Sequence, residues 1–135
     1  MVVDDEDEVR RVLVELVRSR GYEVVEASNG DDAWSQLLNR PVDVVVSDLQ
    51  MPQCDGRELC RRIRAKPSLR DIRVVIISGC DILPHEQELR CDRVLSKPIA
   101  GKALFRELEL ACSALDTVSY AHALSGLPVH RGPVA

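Results

Sequence analysis

Short apolar runs recur along this chain and alternate with longer segments of helical periodicity. The runs fall at residues 1–3, 23–27, 42–47, 74–77 and 93–95, and valine and isoleucine dominate them. Consecutive apolar residues are typical of strands that are buried on both faces, as in a parallel sheet that helices cover on two sides. The pattern therefore predicts five parallel strands.

The segment after the first run predicts an amphipathic helix. Its apolar positions repeat at helical spacing, at Val9, Leu13, Leu16 and Val17. Charged residues occupy the opposite face, at Arg10, Arg11, Glu15 and Arg18. Gly21 follows as a stop signal, so we expect the helix to end shortly before it.

Further helices are predicted between and after the later runs. Residues Asn29 to Asp32 offer caps for a second helix, which Pro41 ends. A third helix precedes Pro67, with apolar positions at Leu59, Cys60 and Ile63. The last helix covers residues 101–115, with an apolar face formed by Leu104, Leu108, Ala111 and Leu115.

Alternating strands and helices predict an α/β fold. Right-handed crossovers then give a doubly wound, flavodoxin-like parallel sheet with helices on both faces. Ligands bind such sheets outside the carboxyl ends of the strands. Asp4 and Asp5 follow the first run and Asp48 ends the third, so we expect their carboxylates to meet in space.

Size and composition limit the functions that this chain can have. Its 135 residues suit one domain, and aromatic residues make up 3% with a formal charge of -4. Few stacking side chains and no basic surface predict no direct contact with nucleic acid. The chain has no long apolar stretch and no signal-peptide pattern, so we expect a cytoplasmic protein without membrane contact.

Cysteine and histidine are not arranged as metal ligands. The five cysteines, Cys54, Cys60, Cys80, Cys91 and Cys112, are odd in number and contain no C-x-x-C pair. We interpret them as reduced thiols rather than as disulfides or a zinc site. None of the three histidines lies at metal-ligand spacing from a cysteine, so we expect their side chains to be solvated.

Three carboxylates at neighbouring strand ends would repel one another unless a cation lay between them. Mg²⁺ suits this set because it prefers carboxylate and carbonyl oxygens and often gains its remaining ligands from phosphate. Ser78 ends the fourth run, and Lys97 follows the fifth. A hydroxyl and an ammonium beside an acidic metal pocket predict a site for a phosphoryl group.

These motifs resemble the receiver domain of bacterial two-component response regulators. The shared features are the pair Asp4-Asp5, the D-x-x-M-P-x-x-x-G pattern from Asp48 to Gly56, Ser78, and Lys97-Pro98. The resemblance covers about residues 1–116. It implies that Asp48 accepts the phosphoryl group and that Ser78 and Lys97 contact it. It also implies that Mg²⁺ is held by Asp4, Asp5, Asp48 and the backbone carbonyl of Gln50, with a cis peptide bond before Pro98.

The resemblance further implies a signalling switch rather than an enzyme. A sensor histidine kinase or phosphotransfer protein would phosphorylate Asp48, and a downstream protein would read the change on the face of helix 4, strand 5 and helix 5. We expect a monomer or weak dimer. The remaining residues, 117–135, are predicted to form a loosely docked tail without a separate domain.

The chain departs from the family's pattern in two places. Receivers usually carry an aromatic residue three positions before the lysine, and Val94 stands there. Only 18 residues separate Ser78 from Lys97, and Pro84 interrupts them. The fourth helix is therefore expected to be short, shifted or partly unwound. Gly56 is predicted to adopt a backbone angle that other residues resist.

Two other functions remain open from the sequence. The segment from Asp5 to Val9 matches D-x-D-x-[TV], the nucleophile motif of haloacid-dehalogenase-like phosphatases, which would use Asp5 instead of Asp48. The chain could also be an interaction domain that works without phosphorylation. The first alternative predicts a phosphate on Asp5, and the second predicts no magnesium-dependent labelling.

Overall fold

The fold alternates five strands with five helices along the chain. The computed structural model describes residues 1–80 and 83–125, of which 114–125 are described by their backbone. The strands are β1 (Val2–Val3), β2 (Glu26–Ala27), β3 (Val44–Asp48), β4 (Arg73–Ser78) and β5 (Arg93–Ser96). The helices are α1 (Asp7–Arg18), α2 (Gly30–Leu37), α3 (Gly56–Ala65), α4 (Glu86–Leu89) and α5 (Gly101–Ser125).

The strands form one parallel sheet in the order β2-β1-β3-β4-β5. Val2 of β1 lies opposite Val46 of β3, and Asp48 at the end of β3 lies opposite Ile77 of β4. This arrangement confirms the predicted doubly wound sheet. It also places the carboxyl ends of β1 and β3 side by side, because these two strands are direct neighbours.

The core lies in two layers, one on each face of the sheet. Val45 of β3 packs with residues of α2 and α3, including Leu37 and Leu59. Its neighbours Val44 and Val46 point to the other face and pack with residues of α1 and α5. Successive strand residues serve opposite layers, which explains why the runs are apolar at consecutive positions.

Side-chain caps start the second and third helices. The Asn29 side chain accepts a hydrogen bond from the Asp32 amide at 2.8 Å, which confirms the predicted cap. Asp55 caps α3 by accepting from the Glu58 amide at 2.9 Å. The stop signals are also confirmed, since α1 ends at Arg18 and Gly21 then adopts a φ of 86°.

One arginine ties together the ends of α3 and α4. The Arg64 guanidinium donates to the carbonyls of Arg70, Ile72 and Arg90 at 2.6–2.8 Å. It also pairs with the Asp92 carboxylate at 2.8 Å, and Asp92 in turn accepts from the Val74 amide. These contacts fix the loops on both sides of β4 relative to α3.

The fourth helix is short, as predicted, and contains four residues. The predicted end of the last helix near residue 115 is wrong, because α5 continues to Ser125. No glycine or proline interrupts the sequence between Gly101 and Ser125, and the next such residue is Gly126. The division between a domain at 1–116 and a tail at 117–135 stays a prediction, and residues 126–135 lie outside the described part.

The predicted reason for Gly56 is wrong. Its φ is not among the positive values, which in the described part belong to Gly21, Gln53 and Arg90. A Cβ atom at position 56 would instead lie 2.6 Å from the Asp48 carbonyl oxygen and 3.0 Å from the Leu49 Cα. Glycine is needed because the start of α3 approaches the end of β3 closely, and this approach fixes the strand end that carries Asp48.

We expect Gly56→Ala to lower the free energy of unfolding by about 1–3 kcal/mol, because backbone atoms must move to admit the methyl group. Urea denaturation would measure the change. Gly101→Ala is the control, since its Cβ would meet the Phe105 ring at 3.5 Å, an ordinary contact. This control should be neutral or stabilising, and wild-type stability of Gly56→Ala would contradict the steric explanation.

Candidate functional site

Three carboxylates meet at the carboxyl edge of the sheet. Oxygen atoms of Asp4, Asp5 and Asp48 all lie within 4.8 Å of one another. Asp4 is 1% exposed and Asp48 is 6% exposed, whereas Asp5 is exposed to solvent. The gathering of these side chains, predicted from the sequence, follows from the adjacency of β1 and β3.

Asp4 is the least solvated member of the group. Its Oδ1 accepts a hydrogen bond from the Glu6 amide at 2.9 Å, while its buried Oδ2 has no hydrogen-bond partner among the residues whose side chains are described. Burial raises the pKa of Asp4 above its ordinary value, against the opposing effect of the Glu6 amide. The charges of Asp48 and Asp5 raise this pKa further. A carboxylate that keeps one oxygen unpartnered in a cluster with two other carboxylates fits the donor set of a hard divalent cation.

Lys97 provides a positive charge beside the acidic cluster. Its Nζ lies 3.2 Å from Asp48 Oδ1. Burial lowers the pKa of Lys97, but the hydrogen bond and charge of Asp48, together with the charges of Asp4 and Glu6, raise this pKa overall. Lys97 follows the end of β5, and the predicted cis peptide bond between Lys97 and Pro98 is confirmed.

Ser78 lies at the carboxyl end of β4, and Gln50 lies in the loop that follows β3. Ser78 ends β4, is buried, and accepts a hydrogen bond from the Cys80 amide at 3.2 Å through its Oγ. Gln50 is exposed, and its side-chain amide donates to Cys80 Sγ at 3.4 Å. The contact between Gln50 and Cys80 was not predicted from the sequence. The role of the Gln50 carbonyl as a ligand stays a prediction.

Sequence reasoning also missed the contacts of Arg10. The helical pattern places Arg10 on the polar face of α1, which suggests a solvated side chain. Its guanidinium instead donates to the Asp4 carbonyl at 2.8 Å and pairs with Asp7 at 2.7 Å. The position of Arg10 near the start of the predicted helix could have suggested this contact, because a long side chain there can reach the loop before the helix.

The cysteines take no part in this cluster. All five carry free thiols. Burial raises the pKa of the Cys60 thiol to about 12 and that of Cys91 to about 11, so both are protonated at neutral pH.

His85 is exposed and caps the short α4, where its Nδ1 accepts from the Gln87 amide at 3.2 Å.

Among residues 1–80 and 83–125, no helix combines the length and the apolar character needed to span a bilayer.

We expect Asp4→Asn to raise the free energy of unfolding at pH 7 in metal-free buffer. Because the pKa of Asp4 is raised in the folded state, the folded protein binds this proton more tightly than the unfolded chain does. Wild-type stability therefore falls as the pH rises from the ordinary value of 3.8 through the folded pKa, and the variant lacks this loss. Urea denaturation with EDTA at several pH values would measure the difference.

The advantage of Asp4→Asn should shrink as the pH falls toward 3.8 and below. Asp71→Asn, which removes an exposed carboxylate, is the control and should leave the pH profile unchanged. If the variant is no more stable than the wild type at pH 7, the ionised Asp4 carboxylate does not lower the free energy of unfolding.

Comparison with known proteins shows the family to which the chain is related. The model of the response regulator receiver domain matches residues 1–109. The response regulator receiver protein CpdR of Brucella abortus is 31% identical over 110 residues, which cover 81% of this chain and 92% of CpdR. The phosphate regulon transcriptional regulatory protein PhoB of Pseudomonas aeruginosa is 25% identical, and its alignment covers 98% of this chain but 66% of PhoB.

A solved structure supports the same relationship. The signal receiver domain of an HD domain-containing protein from Pseudomonas fluorescens superimposes with a TM-score of 0.75 at 27% identity. This match covers 86% of the chain and 94% of the solved domain. The family model, the CpdR alignment and the fold therefore agree that the chain belongs to the response regulator receiver domain family of two-component signalling, whose members are in general signalling domains rather than enzymes.

Proposed function

We propose that the chain is a phosphorylation-dependent switch in which Asp48 accepts the phosphoryl group. The observation that carries this proposal is that Asp48 contacts both the acidic cluster and a positive charge. An oxygen of its carboxylate lies within 4.8 Å of oxygens of Asp4 and Asp5, and its Oδ1 lies 3.2 Å from Lys97 Nζ. Such a centre favours reaction with a group that can bind a cation and an ammonium together, as a phosphoryl group does.

In the proposed reaction an oxygen of the Asp48 carboxylate attacks the phosphorus atom of a phosphohistidine or a small phosphodonor. The new P–O bond forms as the bond from phosphorus to the donor's leaving group breaks. The product is an aspartyl phosphate, and the leaving group is imidazole or a small carboxylate. Positioning and charge neutralisation supply most of the catalysis in this kind of transfer.

Asp4, Asp5, Asp48 and the Gln50 carbonyl are the proposed ligands of Mg²⁺. When bound, the ion would offset the charge of the carboxylates and of the phosphoryl oxygens. Asp4 Oδ2, which has no hydrogen-bond partner among the residues with described side chains, supports this assignment, since burying an ionised oxygen without a partner costs free energy. Lys97 would neutralise a further phosphoryl oxygen, and the Ser78 hydroxyl would donate a hydrogen bond to one.

The sheet offers a route from this site to the proposed output face of α4, β5 and α5. Ser78 lies opposite Ser96 in the ladder between β4 and β5, and its carbonyl accepts from the Lys97 amide at 2.9 Å. A shift of Ser78 toward a phosphoryl group would therefore act directly on the end of β5. Val94 is buried in β5, so we propose that switching here proceeds by a small repacking rather than by rotation of an aromatic ring.

The proposed phosphodonor is a sensor histidine kinase or a phosphotransfer protein, and the proposed target is a downstream protein. PhoB is a transcriptional regulatory protein by name, and this chain spans 66% of its length. For the receiver we propose recognition of proteins rather than nucleic acid, because the chain has a formal charge of -4.

The phosphatase alternative, with Asp5 as nucleophile, gains no support from the geometry. Asp7, the second aspartate of that motif, begins α1 and pairs with Arg10 at 2.7 Å. The family assignment instead favours the aspartate at the end of β3. Phosphate on Asp5 would still reverse this choice, so the labelling experiment must locate the modified residue.

We expect acetyl phosphate with Mg²⁺ to add one phosphoryl group to the wild-type protein and none to Asp48→Asn, because the amide is not a nucleophile. Intact-mass measurement, followed by peptide mapping of the beryllofluoride or phosphoryl adduct, would locate the modified residue. Asp71→Asn is the matched control and should label fully. Full labelling of Asp48→Asn, or a label on Asp5, would refute the assignment.

We expect Lys97→Met to slow labelling by acetyl phosphate about 10²- to 10³-fold, the usual cost of losing one donor to a developing negative charge. The same variant should bind Mg²⁺ more tightly, because Asp48 loses a competing cation. Lys102→Met changes the charge equally at an exposed position of α5 and is the control. Equal labelling rates for the two variants would exclude a direct role of Lys97.

A further inference from the structure

We propose that Arg10 is a positioning residue of the cation site, which it serves by holding the loop between β1 and α1. This inference rests on the proposed function, namely that the acidic cluster binds Mg²⁺. Arg10 does not belong to the cluster itself. Its contacts act on the backbone of Asp4, the residue that begins the loop.

The Arg10 guanidinium joins three different parts of the chain. One nitrogen donates to the Asp4 carbonyl at 2.8 Å, and a second pairs with Asp7 in the first turn of α1 at 2.7 Å. The Nε lies 3.5 Å from a carboxylate oxygen of Glu26 in β2. The Arg10 side chain is 16% exposed, and its hydrogen bond to the Asp4 carbonyl is partly buried, whereas Asp7 and Glu26 are open to solvent. A planar group with several fixed donors suits this three-way contact better than an ammonium does.

The start of α1 lacks a side-chain cap, so other contacts must hold it to the loop. Asn29 caps α2 and Asp55 caps α3 through side-chain oxygens. At α1 the capping residue is Glu6, and its side chain forms no capping hydrogen bond in the described part of the chain. The Glu6 amide is instead bound by Asp4 Oδ1 at 2.9 Å. The loop is therefore held by two hydrogen bonds. The Arg10 side chain donates to the Asp4 carbonyl, and Asp4 Oδ1 accepts from the Glu6 amide.

The orientation of Asp4 and Asp5 depends on this loop. Asp4 is held to the sheet through its amide, which donates to the Ala27 carbonyl at 3.2 Å. Its carbonyl is held by Arg10, so both sides of this residue are fixed. Asp5 is exposed and gains its place in the cluster from the residues on either side of it. Loss of the Arg10 contact would leave Asp5 free to turn away from Asp48.

Electrostatics and positioning predict opposite results when Arg10 is removed. A positive charge next to a cation site opposes cation binding, so the loss of this charge alone should tighten Mg²⁺ binding. A loosened loop should weaken it, because the ligands are no longer held in place. Partners that orient metal ligands typically change metal affinity 10- to 100-fold when they are mutated.

The test compares Arg10→Gln with Arg11→Gln by isothermal calorimetry with Mg²⁺ and by electron paramagnetic resonance with Mn²⁺. Arg11 is the next residue of α1 and is exposed, and its side chain forms no ion pair or hydrogen bond among the residues with described side chains. We expect Arg10→Gln to raise the dissociation constant about tenfold. Arg11→Gln loses the same charge and should change it little or lower it. Urea denaturation without metal would separate altered binding from a loss of folded protein.

A dissociation constant for Arg10→Gln that is unchanged or lower than that of the wild type would overturn the proposal. If this variant does not fold, Arg10→Lys decides the question. It keeps the charge, so electrostatics predict no change, whereas loss of the three-way contact predicts weaker binding. Wild-type affinity of Arg10→Lys would then overturn the proposal. Wild-type protein that binds neither cation would instead contradict the proposed function itself.

Discussion

Mutual repulsion among carboxylates at one edge of the sheet is the constraint on which the rest of this molecule depends. Adjacent parallel strands end at the same edge, so the order β2-β1-β3 brings Asp4 and Asp5 against Asp48. Burial of Asp4 and Asp48 makes this repulsion costly, because little water remains to screen it. The fold retains the arrangement through hydrogen bonds to the loop and through the ammonium of Lys97.

Under the proposed function, this repulsion would make the site responsive to a cation. A bound divalent cation would relieve repulsion that the free protein must tolerate, and the Lys97 ammonium would offset part of the charge of an added phosphoryl group. The same site is joined through the Ser78 carbonyl and the Lys97 amide to the end of β5. Under the proposed function, this backbone contact would let a charge event at one edge of the sheet act on a surface elsewhere.

The sequence predicted those features that depend on alternation and on strand ends. Apolar runs gave the strands, and the adjacency rule for doubly wound sheets then placed Asp48 near Asp4. The short extent of β2 was not predictable, because its apolar run is longer than the strand. β2 pairs with β1, and each of these strands contains two residues.

The contacts of individual side chains were harder to foresee. Periodicity assigns Arg10 to the polar face of α1 but does not show that its long side chain turns back to the Asp4 carbonyl. The need for Gly56 was recognised, but its cause lies in the distance to the Asp48 carbonyl oxygen, which only the packing of α3 reveals. The length of α5 was underestimated because its apolar pattern fades before any helix-breaking residue occurs.

The shortness of α4 has a consequence for recognition. Four residues rise about 6 Å, roughly one helical turn, which is too little to offer a ridge or groove to another helix. Arg64 also fixes the Arg90 carbonyl that follows α4, so this turn is anchored at its end. A protein that docks on this side of the molecule would meet β5 and the long flank of α5 instead. Shape selectivity between related targets would then reside in α5, with α4 serving as a fixed border.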